Sequence, residues 1–190
     1  MSAPFVALAL SYCLGAGQIK LLGQKKRPWL EIRRCETDLT YLTHQCRHLH
    51  KLHDGPLDSV TDTVQTDGFY DVKRLRCHGE GLYRAYELLY PRDEKTITLD
   101  LLMLTGLRGV ASFWCDCGEA AKGGLVFNCP GGKARAMVVH DWLTELGFTP
   151  YTPRFDVRSS KIHFRGDGAD HFASTIRPLI PRYRHSTLRR

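Results

Sequence analysis

Two short apolar runs, residues 4–17 (PFVALALSYCLGAG) and 107–118 (LRGVASFWCDCG), each end in one variable residue followed by a glycine. The variable residue is Ala16 in the first run and Cys117 in the second, and Asp116 and Glu119 flank the latter. What stands there decides whether the runs can carry acid chemistry. Asp116 lies one residue back and so points about 100° away around a helix. The first run has no carboxylate nearer than Glu31 and Glu36. A second cluster, His44, Cys46, His48, His50 and His53, crowds one predicted helix. His44 and His48 are four apart and could share a metal. Structural zinc, however, takes four ligands with cysteine pairs at fixed loop spacing, so a polar helix face or phosphate contacts are expected instead. Cys115 and Cys117 are two apart on a helix, point to nearly opposite sides, and do not converge with Cys129 on one ion. Gly15-x-Gly17 is no dinucleotide fingerprint, because it follows a helix and precedes a strand. No metal and no cofactor is expected.

The elements that position these residues belong to a globular chain of 190 residues, 43% hydrophobic and 25% charged. It is one domain or two small intimate ones. With 27 Lys and Arg against 20 Asp and Glu, the net charge of +7 favours a polyanion, nucleic acid before membrane. Seven irregularly spaced cysteines read as reduced thiols of an intracellular or organellar compartment. The first run falls short of the about 20 apolar residues that span a bilayer. It lacks the marks of a signal or transit peptide, so no cleaved address is expected.

Pro4 suits the first turn of a helix over 5–14, ended by Gly15 and Gly17. Residues 18–22 and 29–35 read as a hairpin with a basic turn. Thr37 caps a helix carrying Leu39, Leu42, Cys46 and Leu49, with Asp38 in its first turn. A second hairpin, 61–66 and 72–77, turns at Asp67-Gly68. Leu82, Tyr86 and Leu89 mark a short helix closed by Pro91. After a linker, 92–106, the order recurs: an apolar helix over 107–117, a strand over 125–129, and a turn over 130–133. A helix with Val138, Trp142 and Leu146 follows, closed by Gly147 at C′. A hairpin of 155–157 and 161–165 precedes a last helix with Phe172, Ile176 and Leu179. Residues also repeat, since 73–81 (KRLRCHGEG) answers to 161–168 (KIHFRGDG). The expectation is an α+β fold of two pseudo-twofold-related α-β-β-α-β-β-α repeats, 1–91 and 107–190. Two copies are too few for a solenoid. The two apolar helices form the seam, with Ser11, Gly15, Ser112 and Asp116 where backbones approach.

With this repeat in view, the chain resembles the LAGLIDADG homing endonuclease and maturase family in its single-chain form. The match is strongest over 96–118 (TITLDLLMLTGLRGVASFWCDCG), weaker over 8–17, and extends to the Arg-rich ending 177–190. The resemblance implies saddle-shaped antiparallel sheets that lie along nucleic acid. It also implies a metal-binding acid at the end of each motif helix. Those positions are Ala16 and Cys117 here. Alanine ligates nothing, and a thiol is a poor ligand for Mg²⁺, which prefers hard oxygen. Both half-sites lack the acid, so the chain is not expected to be an enzyme.

What remains is a binding surface. Basic residues fall on the predicted strands and turns: Lys20, Lys25, Lys26, Arg27, Arg33, Arg34, Lys73, Arg74, Arg76, Lys133, Arg135, Arg154, Arg158, Lys161 and Arg165. The tail adds Arg182, Arg184, Arg189 and Arg190. Trp29, Tyr70 and Tyr151 could stack on splayed bases of an RNA. The expected partners are structured RNA, rRNA foremost, and neighbouring ribonucleoprotein subunits, with no membrane and no small-molecule substrate. A basic tail with no apolar reason to order alone calls for a surrounding polyanion. The most economical such assembly is a mitochondrial ribosome. The alternatives are an intron-splicing maturase and an active DNA endonuclease using displaced acids.

Overall fold

Helix α1 (Ala3–Leu14) starts with Pro4 in its first turn and is apolar nearly all round, so Phe5 and every residue from 8 to 14 are buried. It opens a computed structural model that describes residues 3–24, 26–35, 38–53, 57–65, 71–151 and 160–189, with only the backbone of Gln65 and Asp71. The chain divides into two units, Met1–Thr96 and Ile97–Arg190.

In the first unit, β1 (Gly17–Leu22), β2 (Arg27–Cys35), α2 (Leu39–Leu52), β3 (Asp58–Gln65), β4 (Asp71–His78) and α3 (Gly81–Leu89) follow α1. The expected order of elements is therefore present. The β1–β2 turn is held by the Lys26 N–H donating to Gly23 O at 3.0 Å, both residues at positive φ. The strands form one antiparallel sheet in the order β1-β2-β4-β3. Alternation sends Ile19, Leu30, Ile32, Leu75 and Cys77 to the buried face. The buried stripe of α2 is Tyr41, Leu42, Gln45 and Leu49. Leu39 is exposed and Cys46 half-buried, so the stripe sits slightly off the one expected. Asp38 flanks the helix start without a side-chain capping bond. Thr37, Glu36 and the Asp67-Gly68 turn lie outside the described residues.

The second unit begins with α4 (Leu99–Cys117). Thr98 caps it, its Oγ1 accepting from the Leu101 N–H at 3.2 Å, and Asp100 complements the helix dipole. The helix is broken at Gly106 (φ 55, ψ −153), a conformation essentially reserved for glycine. This cap starts helix well before residue 107, so much of the reach expected as linker is helical. Strand β5 (Gly118–Ala121) is an addition to the expected elements. Its sequence, GEAA, has little strand propensity and is held by pairing with β6 (Gly124–Cys129). Helix α5 (Gly132–Glu145) closes as expected at Gly147. The Gly147 N–H donates to Thr144 O at 2.9 Å and the Phe148 N–H to Leu143 O at 3.0 Å, the paired bonds of a Schellman motif. β7 (Ser160–Arg165) and α6 (Gly166–Ile176) complete the layer. Among the described residues the sheet runs β5-β6-β7, antiparallel, with Tyr151 bridged to His163. The expected strand 155–157 lies outside them. Leu179 sits in a separate 3-10 turn (Arg177–Leu179) and is exposed.

The tail departs from expectation. Residues Arg182–Leu188 form a 3-10 helix that packs on β5. Leu188 is buried, and the Trp114 indole N–H donates to Thr187 Oγ1 at 2.9 Å. The tail therefore has an apolar anchor within its own unit. Among the described residues no helix is long and apolar enough to cross a membrane.

Candidate nucleic-acid interface

In the first sheet, strand parity sorts the basic residues. The register sets Lys20 opposite Trp29, Arg33 opposite Arg74, Arg76 opposite Glu31, and Asp62 opposite Arg74. Side chains paired directly across a sheet share a face. Lys20, Trp29, Glu31, Arg33, Asp62, Arg74, Arg76 and His78 thus lie together on the face turned away from the helices. Arg34 pairs with Lys73 on the opposite face. Arg34 is buried there with its guanidinium 4.8 Å from the Tyr41 ring centre. Lys73 Nζ donates to Thr63 Oγ1 at 2.8 Å. These two are not on the open face with the other strand cations, because a one-residue step along a strand reverses the side chain's direction.

At the centre of the open face sits Glu31, with only 4% of its side chain exposed. Its Oε1 accepts from Lys20 Nζ at 2.9 Å, Arg33 Nε at 2.9 Å and Gln18 Nε2 at 3.2 Å, and Arg74 Nη1 lies 3.7 Å from Oε2. Asp62 takes both Nε and Nη2 of Arg74, at 2.9 and 2.5 Å, and Nη2 of Arg76 at 3.1 Å. Burial alone would raise the Glu31 carboxyl, but the hydrogen bonds and charges of Lys20 and Arg33 outweigh it and hold it below its ordinary range. The Arg74 hydrogen bond, partly opposed by desolvation and reinforced by the Arg74 and Arg76 charges, does the same for Asp62. Two acids thus interlock four cations. Neither acid is among the expected binding residues. The signal lies in strand parity, which puts Glu31 in step with Trp29 and Arg33. Beside this lattice, Trp29 stacks on His78 at 5.4 Å between ring centres, and His78 Nδ1 is 2.8 Å from Pro28 O. Lys26 and Arg27 are exposed at the β1–β2 turn. Lys25 and Tyr70 lie outside the described residues.

The second sheet carries Lys161, His163 and Arg165 on one face, in register with Asn128, Val126 and Gly124. The Arg165 guanidinium lies 5.2 Å from the Tyr151 ring centre. Burial, then the Arg165 and Lys161 charges, hold the His163 imidazole below its ordinary pKa. Lys133 and Arg135 sit in the first turns of α5 and not on a hairpin. Arg154, Arg158 and Arg190 lie outside the described residues. Arg182, Arg184 and Arg189 belong to the packed tail or its end.

At the C-terminal end of α4, Asp116, Cys117, Glu119, Asn128, Cys129 and Ser160 line an open cleft of about 410 Å³. Cys117 is half-exposed there, whereas burial pushes the Cys129 thiol up to about 12. Cys115 is buried. Ala16 is exposed just beyond α1. On α2 the His44 and His48 rings are 4.1 Å apart and tilted, while His50 Nε2 is 2.9 Å from Ser59 Oγ and His53 packs edge-on to Phe5. Among the described residues no three His, Cys, Asp or Glu side chains converge as metal ligands.

No family model matches the chain, and no curated protein matches it in sequence. Solved structures do. The homing endonuclease I-WcaI bound to its DNA recognition sequence superposes with a TM-score of 0.75 at 18% identity, covering 100% of this chain and 87% of that one. I-DmoI in complex with DNA and Ca superposes with a TM-score of 0.60 at 18% identity, covering 95% and 93%. The fold is that of the LAGLIDADG homing endonucleases.

Proposed function

We propose that the chain binds structured RNA without cutting it, as a scaffold of a ribonucleoprotein particle, namely a mitochondrial ribosome. The observation that carries this reading is the pair Ala16, just beyond α1, and Cys117, at the end of α4. Neither side chain offers an oxygen to a divalent metal. A net charge of +7 and a cation-bearing sheet face support a polyanionic partner. So do the DNA-bound states of I-WcaI and I-DmoI. The Trp29–His78 stack on that face suits the unpaired bases of RNA. The tail does not argue for surrounding RNA, since Leu188 and Thr187 anchor it locally. Sedimentation of mitochondrial extract through high salt is the test. The protein should travel with a ribosomal subunit. Co-purification with a single intron RNA would instead make it a splicing maturase.

One observation favours a different class. Asp116 and Glu119 line the same cleft as Cys117, so two carboxylates stand within one site of the second unit. In that reading the chain is a DNA endonuclease with displaced acids. Plasmid nicking with Mg²⁺ or Mn²⁺ that disappears in Asp116→Asn would establish it and end the scaffold reading.

A further inference from the structure

The acids on the first sheet explain more than local charge balance. Lys20 and Arg33 have 37% and 42% of their side chains exposed, whereas Arg74 has 19% and Glu31 only 4%. The array is therefore layered. Glu31 lies at the bottom, Arg74 braces it against Asp62, and Lys20 and Arg33 stand outermost with donors left over. An arginine has five N–H donors, and the Arg33 contacts to Glu31 use only Nε and Nη2. A long cation that is free on a surface attracts any phosphate and loses side-chain entropy on binding. One already tied to a buried carboxylate is partly neutralised, releases fewer counterions, and presents its remaining donors in a fixed direction.

We propose that Glu31, seconded by Asp62, is a specificity determinant of the open face. It suppresses sequence-independent attraction to phosphate and fixes Lys20 and Arg33 as oriented donors for the edges of exposed bases. This rests on the reading that the face binds nucleic acid. Bidentate contacts from a fixed Arg or Lys to base-edge acceptors are the ones that discriminate between bases, while phosphate contacts carry no sequence information.

The probe is a random-sequence 20-base-pair RNA duplex, titrated into the full chain at several salt concentrations. Glu31→Gln keeps the shape and removes the charge. It should bind this duplex roughly three- to tenfold more tightly at low salt. It should also steepen the slope of log affinity against log salt by about 0.9 for each cation released to a phosphate. Asp62→Asn, at a more exposed site, should shift the slope the same way and carries the test if Glu31→Gln does not fold. Arg33→Ala should flatten it. Folded variants whose slope and affinity equal or fall below those of the unmodified protein would overturn the proposal while leaving nucleic-acid binding intact. An unmodified protein that binds no duplex even at low salt would overturn the underlying reading and this inference with it.

Discussion

Between helices and sheet, the first unit is filled mainly by aliphatic side chains: Leu10, Leu14, Ile19, Leu30, Ile32, Leu42, Leu75 and Leu89. The second is filled by rings. Phe127 is at their centre, stacked on Phe113 at 5.1 Å, edge-on to Trp114 at 5.1 Å and to Phe172 at 5.6 Å, with Phe164 and Phe148 adjoining Phe172. The outer faces differ in the opposite sense. The first is bound by Glu31 and Asp62 into a lattice, while among the described residues no acid pairs with Lys161 or Arg165. Two antiparallel sheets are thus stabilised in two ways, by aliphatic packing beneath a polar lattice and by aromatic packing beneath a loosely charged surface. Each half divides cohesion and recognition differently.

The contrast breaks most sharply inside the aromatic core. Trp114→Ala removes a fully buried ring that touches Phe127 and Phe172 and anchors the tail, and should cost about 3–5 kcal/mol by urea unfolding. A loss under about 1 kcal/mol would mean that the aromatic cluster is not what holds the second unit.

Acid should act on the lattice. Glu31 and Asp62 have folded pKa values below their ordinary 4.5 and 3.8, so their stabilisation is present above those values and lost as pH falls through the folded ones. Urea midpoints should fall on acidification below about pH 4.5. Glu31→Gln should be less stable at neutral pH yet show a shallower acid limb.

Thr187→Val deletes the indole's acceptor at nearly constant shape. It should cost about 1 kcal/mol and expose the bond after Arg184 to trypsin. The smallest effect belongs to His163. A polyanion beside Lys161 and Arg165 would raise its lowered pKa, so binding would take up a proton and tighten with acidification. From about pH 8 to about pH 6 the gain should be about two- to threefold for an RNA duplex, and should vanish in His163→Gln.

The order of elements is legible in the sequence because each depends on local signals: Pro4 at a helix start, Gly147 at a helix end, alternation in β2 and β4. The Schellman closure after α5 follows from one glycine. The lattice is not legible from a count of basic residues, because such a count ignores which face each strand residue takes. Placing Glu31 beside Arg74 requires knowing that β4 lies next to β2, a pairing between strands far apart in the chain. Arg34 and Lys73 fall away from the expected binding face because each is one step along its strand from a residue on that face. β5 escapes a sequence reading because its four residues have no preference of their own. The tail's anchor is likewise a long-range fact, Thr187 meeting Trp114.

The glycines that close the two apolar runs answer to a different constraint from the residues before them. A Cβ on Gly17 would lie 2.5 Å from the Tyr12 carbonyl oxygen, and one on Gly118 would enter the Trp114 ring, which is itself walled in. Ala16 is exposed and Cys117 half-exposed, and neither fills the core. Along any mutational path, positions 16 and 117 can therefore gain or lose a carboxylate without disturbing the packing, whereas 17 and 118 cannot gain even a methyl group. Chemistry and architecture occupy adjacent residues but separate axes of variation, so a chain of this design can change occupation and keep its body.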